Sequence, residues 1–377
     1  MTAPTDPAAP PRPAADDFGA LLAAARARVD ERLGQWLRPR VAAAAEISEE
    51  VGTVAAAVYG LALRGGKRMR AALVAAAFEA WSSEGARGAR APAGAPAWSA
   101  CEPAMMAIEL LQTYLLIHDD WMDDDDVRRG GPAVHVLLRE KLGALALGDA
   151  AAILAGDLAS GYAQEALLET DLPTERVLRA ARAFARIQVE VVTGQLAEMC
   201  AAGRPAGDAG LPSVETVHAL KTASYTVTGP LLLGAALAGA DDARAAELLR
   251  FGRPLGIAFQ LRDDLLGVFG DPSATGKPVW NDIRQGKRTA LVTELRGDAR
   301  AEALLARVFG RADAAEADLE AVVRAMEESG ARGRVEARVR ELSAEARRAL
   351  DVMAPTMSEQ GRRWLMGAVA ALGERST

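Results

Sequence analysis

The segment LLIHDDWMDDDDVRRGGPAVH, residues 115–135, decides how the chain is interpreted, because it joins an apolar helix to a dense acidic cluster. Six aspartates occupy the eight positions from 119 to 126, and Arg128 and Arg129 follow them. Carboxylates a few Å apart repel one another and raise one another's pKa unless positive charge lies among them. The cluster is therefore either a solvated acidic turn or a site that holds cations.

The helix before the cluster, MMAIELLQTYLLI at residues 105–117, is apolar on nearly all sides, which indicates a helix buried among others. At about 100° per residue, Gln112, Asp119 and Asp123 fall within about 40° of one another. A polar stripe on a buried helix must face a polar cavity, a partner or an ion, because burying it unsatisfied costs several kcal/mol. This stripe favours the cation site over the solvated turn.

A second carboxylate pair stands far along the chain, in GIAFQLRDDLLGVFGD at residues 256–271. Gln260, Asp263 and Asp264 occupy helical positions i, i+3 and i+4, on one face of an otherwise apolar helix. Two such helices predict a shared cavity lined by opposed carboxylates. Oxygen ligands without His or Cys favour Mg²⁺, which keeps several waters and bridges to substrate phosphates.

Basic residues suited to phosphate accompany both carboxylate pairs. LRGGKRMR places Lys67 and Arg70 at a predicted helix start, where an anion is favoured. LKTAS carries Lys221 within a helix, and the loop TGKPVWNDIRQGKRT carries Lys277 and Lys287. Each of these alone is more often a solvated surface side chain. Interleaved with two aspartate pairs, they predict a phosphate-bearing substrate bound through metal.

Composition narrows the class of protein. The chain has 377 residues, half of them apolar, so it can bury a large core. A net charge of −7 without a basic stripe argues against a nucleic-acid partner. Two cysteines form neither a metal motif nor a disulfide framework, which favours a cytoplasmic location. No charge-free apolar run reaches the length of an integral membrane segment.

Helical periodicity and a composition dominated by Ala, Leu, Glu and Arg predict an all-α chain. Residues 1–17 are rich in Pro and Ala and are predicted to be a disordered tail, with residues 18–377 forming a single helical domain. Helices are predicted over 18–41, 69–81, 105–117, 176–201, 214–238 and 243–269. Gly, Pro and Ser mark breaks over 82–99, 201–212 and 270–278.

Together the motifs resemble those of the trans-prenyltransferases, also called isoprenyl diphosphate synthases. DDWMD with the following DDDVRRGGP looks like the family's first aspartate-rich motif, and FQLRDDLLGVFGD looks like its second. GGKRMR, KT and GKP…ND…GKRT stand in the family's order, so the resemblance runs from about residue 48 to 295. The stretch RDDLLGVFGDP…TGKP is similar to actinobacterial geranylgeranyl or farnesyl diphosphate synthases.

The resemblance implies an isoprenoid-synthase fold, with helices around a deep central cavity, and a homodimer. It implies that three Mg²⁺ ions on the allylic diphosphate are ligated by Asp119, Asp123 and Asp263, with Asp120 and Asp264 in support. It further implies that the same diphosphate is contacted by Arg128, Lys221, Gln260 and Lys277, with Thr222 beside the reacting carbons. Isopentenyl diphosphate would be held by Lys67, Arg70, Gln112 and Arg129.

The implied reaction is a head-to-tail condensation through a carbocation. Metal and cationic side chains neutralise the departing pyrophosphate, so that the allylic C–O bond can ionise. The double bond of isopentenyl diphosphate attacks the cation, and the released pyrophosphate can accept the proton that leaves. No protein base is then needed, so His118 and His135 beside the first motif are interpreted as structural.

Product length depends on the floor of the cavity, which in this family lies four and five residues before the first motif. These positions are Leu115 and Tyr114. Ideal helix geometry puts Leu115 on the face of Asp119, whereas the role of Tyr114 rests on the resemblance and a core aromatic is the alternative. A lone aromatic there favours a C20 product, geranylgeranyl diphosphate, with C15, farnesyl diphosphate, next.

Four positions depart from the family pattern. Gln112 stands where many members have His, and Gly267 replaces the third aspartate of the second motif; Trp121 and Trp280 are also unusual. Rival interpretations are a class I terpene cyclase, a head-to-head synthase of the squalene or phytoene kind, and a non-catalytic subunit of a heteromeric prenyl synthase. A cyclase should carry a different second metal motif and more aromatics. A degraded subunit should have lost basic residues that are intact here.

Overall fold

The computed structural model describes residues 14–82, 96–202, 210–270, 280–295 and 298–374, and these are almost entirely helical. The N-terminal half forms α1 Ala14–Ile47, α2 Glu49–Leu63, α3 Met69–Trp81, a 3₁₀ turn Ala97–Cys101, α4 Glu102–Met122, strands β1 Val127–Arg128 and β2 Gly131–Pro132, α5 Val134–Leu142, α6 Leu145–Leu168 and α7 Thr174–Ala201. β1 and β2 pair antiparallel, with Arg128 opposite Gly131.

The C-terminal half begins with three helical segments that run on from one another. They are α8 Val214–His218, a π-helix Ala219–Thr228 and α9 Gly229–Ala238. After them come α10 Asp242–Phe269, α11 Asn281–Arg284, α12 Ala290–Glu294, α13 Ala299–Val308, α14 Glu316–Glu328, α15 Ala331–Met353, a 3₁₀ turn Ala354–Thr356, α16 Glu359–Val369 and a π-turn Ala370–Glu374.

The main core lies between the helices that carry the predicted motifs. α4 packs against α6, α3 packs against α9, and α10 packs against both the π-helix and α15. The α3–α9 contact is close because its residues are small: a Cβ on Gly234 would lie 2.1 Å from the carbonyl oxygen of Val74. A second cluster of buried apolar residues joins the end of α10 to α11–α15, and a third joins α2, α5 and α6.

Local sequence signals set several helix boundaries. Ser48, Ser213 and Asp241 cap α2, α8 and α10 by accepting a hydrogen bond from a backbone N–H of the first turn. Before α3, Gly65 and Gly66 have φ of 64° and 120°, conformations that glycine adopts without a Cβ clash. The Gly-Gly pair therefore turns the chain sharply between α2 and α3.

The predicted all-α class is confirmed. The structure has helices over the six predicted stretches and others besides, among them α2, α5 and α6. The Ala-rich sequences of α2 and α6 show little periodicity. The predicted tail is too long, because α1 already begins at Ala14 and Asp17 forms an ion pair with Arg363 of α16. Residues 1–13 and most of the predicted breaks lie outside the described residues.

One described helical stretch, Ala97–Met122, is long and apolar enough to cross a membrane by length and composition. However, 67% of its most apolar window is buried inside the protein. Burial of that kind is typical of the core helix of a bundle.

Candidate active site

The first acidic cluster lies where α4 ends. Asp119 and Asp120 belong to the last turn of α4, and Asp123 directly follows the helix. The N–H of Asp123 donates to the carbonyl of Asp119 at 2.8 Å, and the N–H of Asp125 donates to that of Asp120 at 2.9 Å. These bonds wrap the chain around the helix end and present the carboxylates of Asp119 and Asp123 on one side.

Asp120 has a different environment from its neighbours. Its side chain is 0% exposed and forms an ion pair with Arg128, whose side chain is 11% exposed. Nε of Arg128 donates to Oδ1 of Asp120 at 2.7 Å, and Nη2 donates to the same oxygen. Burial raises the pKa of Asp120 despite this pairing. The buried Asp120 carboxylate therefore fixes the position of the Arg128 guanidinium.

The second carboxylate pair lies on α10 in a chain of hydrogen bonds. Thr222 Oγ1 donates to Gln260 Oε1 at 2.8 Å, and Gln260 Nε2 donates to Asp264 Oδ1 at 2.8 Å. Asp264 is buried, and burial raises its pKa to about 7. Asp263 reaches solvent, but partial desolvation and the charge of Asp264 raise its pKa to about 6.

A buried histidine lies behind Asp264. His218 Nε2 is 3.5 Å from Asp264 Oδ2, and burial lowers the pKa of His218 to about 4. The imidazole is neutral at pH 7, so this contact is not an ion pair. Sequence reasoning did not single out His218, because an isolated histidine on a helix is most often a core residue.

Two lysines link the two motifs. Lys221 Nζ, on the π-helix beside Thr222, lies 3.7 Å from Asp119 Oδ1 and also pairs with Glu198 of α7. Lys287 Nζ lies 2.7 Å from Asp123 Oδ2. Burial opposes the charged form of both lysines, but the neighbouring carboxylates outweigh it and raise their pKa. The helix that carries Thr222 is thus brought to the first aspartate cluster.

The basic loop after α10 contacts the first aspartate cluster. Lys287, predicted from sequence as one of the basic residues for a phosphate-bearing substrate, pairs with Asp123, and Gln285, which the sequence did not single out, donates from Nε2 to Asp125 Oδ1 at 3.4 Å. Glu198 was also missed, since a single acid on α7 carries no spacing signal. Lys277, predicted to contact the allylic diphosphate, lies outside the described residues.

Trp280 fixes the loop to the end of α10. Its N–H donates to the carbonyl of Gly267 at 3.0 Å, and its Nε1 donates to that of Val268 at 3.2 Å. A Cβ on Gly267 would lie 3.4 Å from Asp282 Oδ2. The carboxylate of Asp282 therefore stands next to the position of the missing third aspartate, and its charge adds to the raised pKa of Asp264.

The predicted residues for isopentenyl diphosphate gather around the GGKRMR loop. The positive charges of Lys67 and Arg70 both act on Asp263, so they lie on the side of the second motif. Arg70 Nη2 donates to Thr226 Oγ1 at 2.8 Å, and its guanidinium lies over the ring of Tyr225. Arg129 Nη1 donates to the carbonyl of Gly65 at 3.1 Å.

The remaining predicted residues lie on α4. Gln112 is half-buried. Leu115 and Tyr114 are half-buried against the main core, and Tyr114 packs edge-to-face on His118 with ring centroids 4.9 Å apart. Burial raises the pKa of Tyr114. Trp121 Nε1 donates to Asp149 Oδ1 at 3.2 Å, which gives this tryptophan a structural contact with α6.

The carboxylates fit Mg²⁺ bound together with a phosphate, not a closed metal cage. Within the described ranges, no three His, Cys, Asp or Glu side chains converge as a metal site by themselves. Asp119 and Asp123, which are partly exposed, instead each face a lysine ammonium, so these two positions already accept a cation. Mg²⁺ in such sites is held by one or two carboxylates, waters and substrate phosphates.

Comparison with known proteins identifies the class. A model of the polyprenyl synthetase family matches residues 52–326, so the chain belongs to the polyprenyl synthetase family. The resemblance inferred from the motifs is thereby confirmed.

Among curated proteins, the chain is 39% identical over 228 residues to the (2E,6E)-farnesyl diphosphate synthase of Mycobacterium tuberculosis strain H37Rv. That match covers 60% of this chain and 56% of the relative, so the chain aligns with little more than half of that protein. It is 36% identical over 248 residues to the geranylgeranyl diphosphate synthase of Sulfolobus acidocaldarius, covering 65% of this chain and 68% of the relative.

Among solved structures, the fold is similar to the geranylgeranyl pyrophosphate synthase from Corynebacterium glutamicum complexed with isoprenyl diphosphate and magnesium. The TM-score is 0.80 at 32% sequence identity, covering 93% of this chain and 99% of that chain. A polyprenyl synthetase from Streptomyces coelicolor has a TM-score of 0.74 at 28% identity, covering 94% and 99%.

Proposed function

We propose that the protein is a chain-elongating prenyltransferase that condenses isopentenyl diphosphate with allylic diphosphates into a short-chain trans-prenyl diphosphate. The observation that carries this proposal is the contact between the two motifs. Lys221 reaches Asp119 from one side, while its neighbour Thr222 is hydrogen-bonded through Gln260 to Asp264. One diphosphate can therefore be gripped by both aspartate-rich helices at once.

The allylic half-site follows from these contacts. The Gln260 amide is oriented by Thr222 and Asp264, which leaves its second N–H free to donate to a phosphate oxygen. Arg128 is held by Asp120 and adds a positive charge beside Asp119. These groups bind the diphosphate and stabilise the negative charge that grows on it as the C–O bond breaks. Lys277 is proposed as a further contact.

Mg²⁺ is the proposed cofactor, supported by the oxygen-only donor set and by the magnesium named for the Corynebacterium structure. We propose three ions, held by Asp119, Asp123 and Asp263 together with the diphosphate. When bound, Mg²⁺ would neutralise the negative charge of the leaving pyrophosphate. With the metal on Asp119 and Asp123, their present partners Lys221 and Lys287 would be available to bind phosphate oxygens.

Isopentenyl diphosphate is the proposed second substrate, bound by Lys67, Arg70, Gln112 and Arg129. Arg70 and Lys67 face the side of Asp263, so the two diphosphates would lie next to each other. Burial and the nearby charge of Arg68 lower the pKa of Arg129 despite the opposing charge of Glu109. No carboxylate of the described residues forms an ion pair with Arg129, which suits this cation to an anionic ligand. The pyrophosphate released from the allylic substrate is the proposed acceptor of the proton.

The proposed product is geranylgeranyl diphosphate (C20), with farnesyl diphosphate (C15) next. Tyr114 and Leu115 precede Asp119 on α4 by five and four residues and are half-buried against the apolar core. The growing chain is proposed to end there. The names of the matched relatives include both products and favour neither of the rival classes, the terpene cyclases or non-catalytic subunits. The synthesis is proposed to take place in the cytoplasm.

A homodimer is proposed because α6 and α7 expose a broad apolar face. Leu154 and Leu168 of α6 are 62% and 65% exposed, and Val189 and Leu196 of α7 are 67% and 60% exposed. Large apolar side chains this exposed on adjacent helices mark an interaction surface. The occupant proposed for this face is the same face of a second copy.

Product analysis tests the proposed function. The protein is incubated with Mg²⁺, labelled isopentenyl diphosphate and, in separate tubes, C5, C10 and C15 allylic diphosphates; products are dephosphorylated and sized. A Mg²⁺-dependent C15–C20 product supports the proposal. Asp263→Asn should abolish it, while the matched control Asp351→Asn, on the exposed surface of α15, should not. A folded protein that condenses none of the starters would refute the proposal.

A further inference from the structure

The loop between α2 and α3 and the β1–β2 ribbon hold each other through reciprocal hydrogen bonds. Arg64, the last residue before Gly65 and Gly66, donates from Nη1 to the carbonyl of Arg128 at 3.1 Å and to that of Pro132 at 2.7 Å. In the opposite direction, Arg129 Nη1 donates to the carbonyl of Gly65 at 3.1 Å. Neither loop is positioned independently of the other.

The ribbon needs this support because it is short and strained. Each strand has two residues, far too few for a stable hairpin on its own. At its tip Arg129 has φ of 52°, a left-handed conformation that costs free energy for a residue with a Cβ. Such a conformation persists only where the surrounding contacts hold it.

Gly131 opens the space that Arg64 occupies. A Cβ at this position would lie 2.9 Å from the Arg64 guanidinium, so any larger residue would push that group away. Gly131 has no positive φ, so its backbone conformation does not require glycine. The close approach of Arg64 is the structural reason for glycine at 131.

We propose that Arg64 is a positioning residue for the isopentenyl diphosphate subsite, a role that rests on the function proposed above. Its two hydrogen bonds bracket Arg129 on both sides and fix the direction in which that side chain leaves the backbone. Arg128 is anchored separately by the buried Asp120. Loss of Arg64 therefore affects the ligand of Arg129 more than the ligand of Arg128.

Lysine is expected to fill this role poorly. The guanidinium plane of arginine fixes the directions of the two N–H groups on Nη1, whereas the ammonium of lysine ends a shorter, flexible chain and leaves them unfixed. Arg64→Lys keeps the charge and removes the geometry. Arg64→Met removes both while keeping similar length. Comparing the two separates a positional effect from a purely electrostatic one.

Steady-state kinetics with both substrates varied tests the proposal. Arg64→Met and Arg64→Lys should each raise the KM for isopentenyl diphosphate about tenfold, with the KM for the allylic diphosphate changed less than about twofold, because misplacing a binding group loses binding without altering the other subsite. The control is Arg40→Met, which removes an arginine that bridges α1 to α6 away from both loops. It should leave both KM values unchanged.

Gly131→Ala gives an independent test from the other side of the contact. It should raise the KM for isopentenyl diphosphate in the parent protein but add nothing in Arg64→Met, where the guanidinium is already gone. Full additivity of the two changes, equal rises in both KM values, or an unchanged KM in Arg64→Met would overturn the role of Arg64. Failure of the parent protein to condense isopentenyl diphosphate would instead overturn the proposed function, and it is seen before any variant is made.

Discussion

The buried pair Asp120–Arg128 gives the sharpest prediction about stability. The Asp120 carboxylate is wholly buried and the Arg128 guanidinium nearly so. Nε and Nη2 of Arg128 both donate to Oδ1 of Asp120. Asp120→Asn keeps the shape of the side chain and removes its charge. The Arg128 cation would then keep Asp125, 3.4 Å from its Nη2, and the more distant charge of Asp119 as partial compensation.

The magnitude follows from the loss of one partner. Leaving a buried charge without its counter-charge costs about 3–5 kcal/mol, and the remaining contact with Asp125 places Asp120→Asn near the lower value, about 3 kcal/mol. Arg128→Met strands the Asp120 carboxylate and should cost a similar amount. The double variant leaves neither member of the pair as an unpaired buried charge, so it should lose less than either single variant and far less than the sum of about 6 kcal/mol.

Urea unfolding followed by far-ultraviolet circular dichroism measures this double-mutant cycle, at one protein concentration because association shifts apparent stability. The control cycle uses Glu320→Gln and Arg324→Met, an exposed pair one helical turn apart at 3.5 Å, where no measurable coupling is expected. If the Asp120 and Arg128 effects are additive, the two side chains do not depend on each other and the reasoning from burial is wrong.

Three further predictions concern the cavity, the metal and the assembly. Tyr114→Ala should lengthen the product, since it removes a half-buried ring below Asp119; chromatography of the dephosphorylated products measures this, and an unchanged distribution contradicts it. The Mg²⁺ concentration for half-maximal activity should rise about tenfold as pH falls from 8 to 6, because Asp263 and Asp264, with pKa values of about 6 and about 7, take up protons that compete with the metal. A flat pH profile would argue against carboxylate ligation. Val189→Arg should convert a dimer to monomers in sedimentation velocity, whereas a parent protein that is already monomeric rules out the proposed interface.

The two aspartate motifs could be predicted from sequence because polar side chains on a buried helix must face a partner, an ion or a polar cavity. Asp119 and Asp263 stand out against apolar neighbours at helical spacing, and the structure places both beside basic groups. The same contrast is absent in α6, whose Ala and Gly residues give almost no periodicity. That helix was accordingly missed, although it packs along much of α4.

The environment of Lys221 could not be predicted from helical spacing. Lys221 and Thr222 lie in a π-helix, where more residues make up each turn than the 3.6 assumed for an α-helix. The segment also runs very close to α7, since a Cβ on Gly194 would lie 2.3 Å from the backbone nitrogen of Lys221. Its pairing with Glu198 depends on that close approach, which no local pattern encodes.

Each aspartate of the first motif has its own basic partner: Asp119 faces Lys221, Asp120 faces Arg128, and Asp123 faces Lys287. The formal charge of this set of six side chains is therefore zero before any ligand arrives. These ion pairs reduce the repulsion among the three carboxylates that would otherwise oppose the compact form of the chain without metal. With Asp119 and Asp123 as the proposed ligands, binding of Mg²⁺ would exchange one counter-ion for another, the metal for the ammonium groups of Lys221 and Lys287. A free divalent ion would gain little from that exchange, whereas a diphosphate bound with the ion would give the displaced lysines a new anion, so metal and substrate would bind best together.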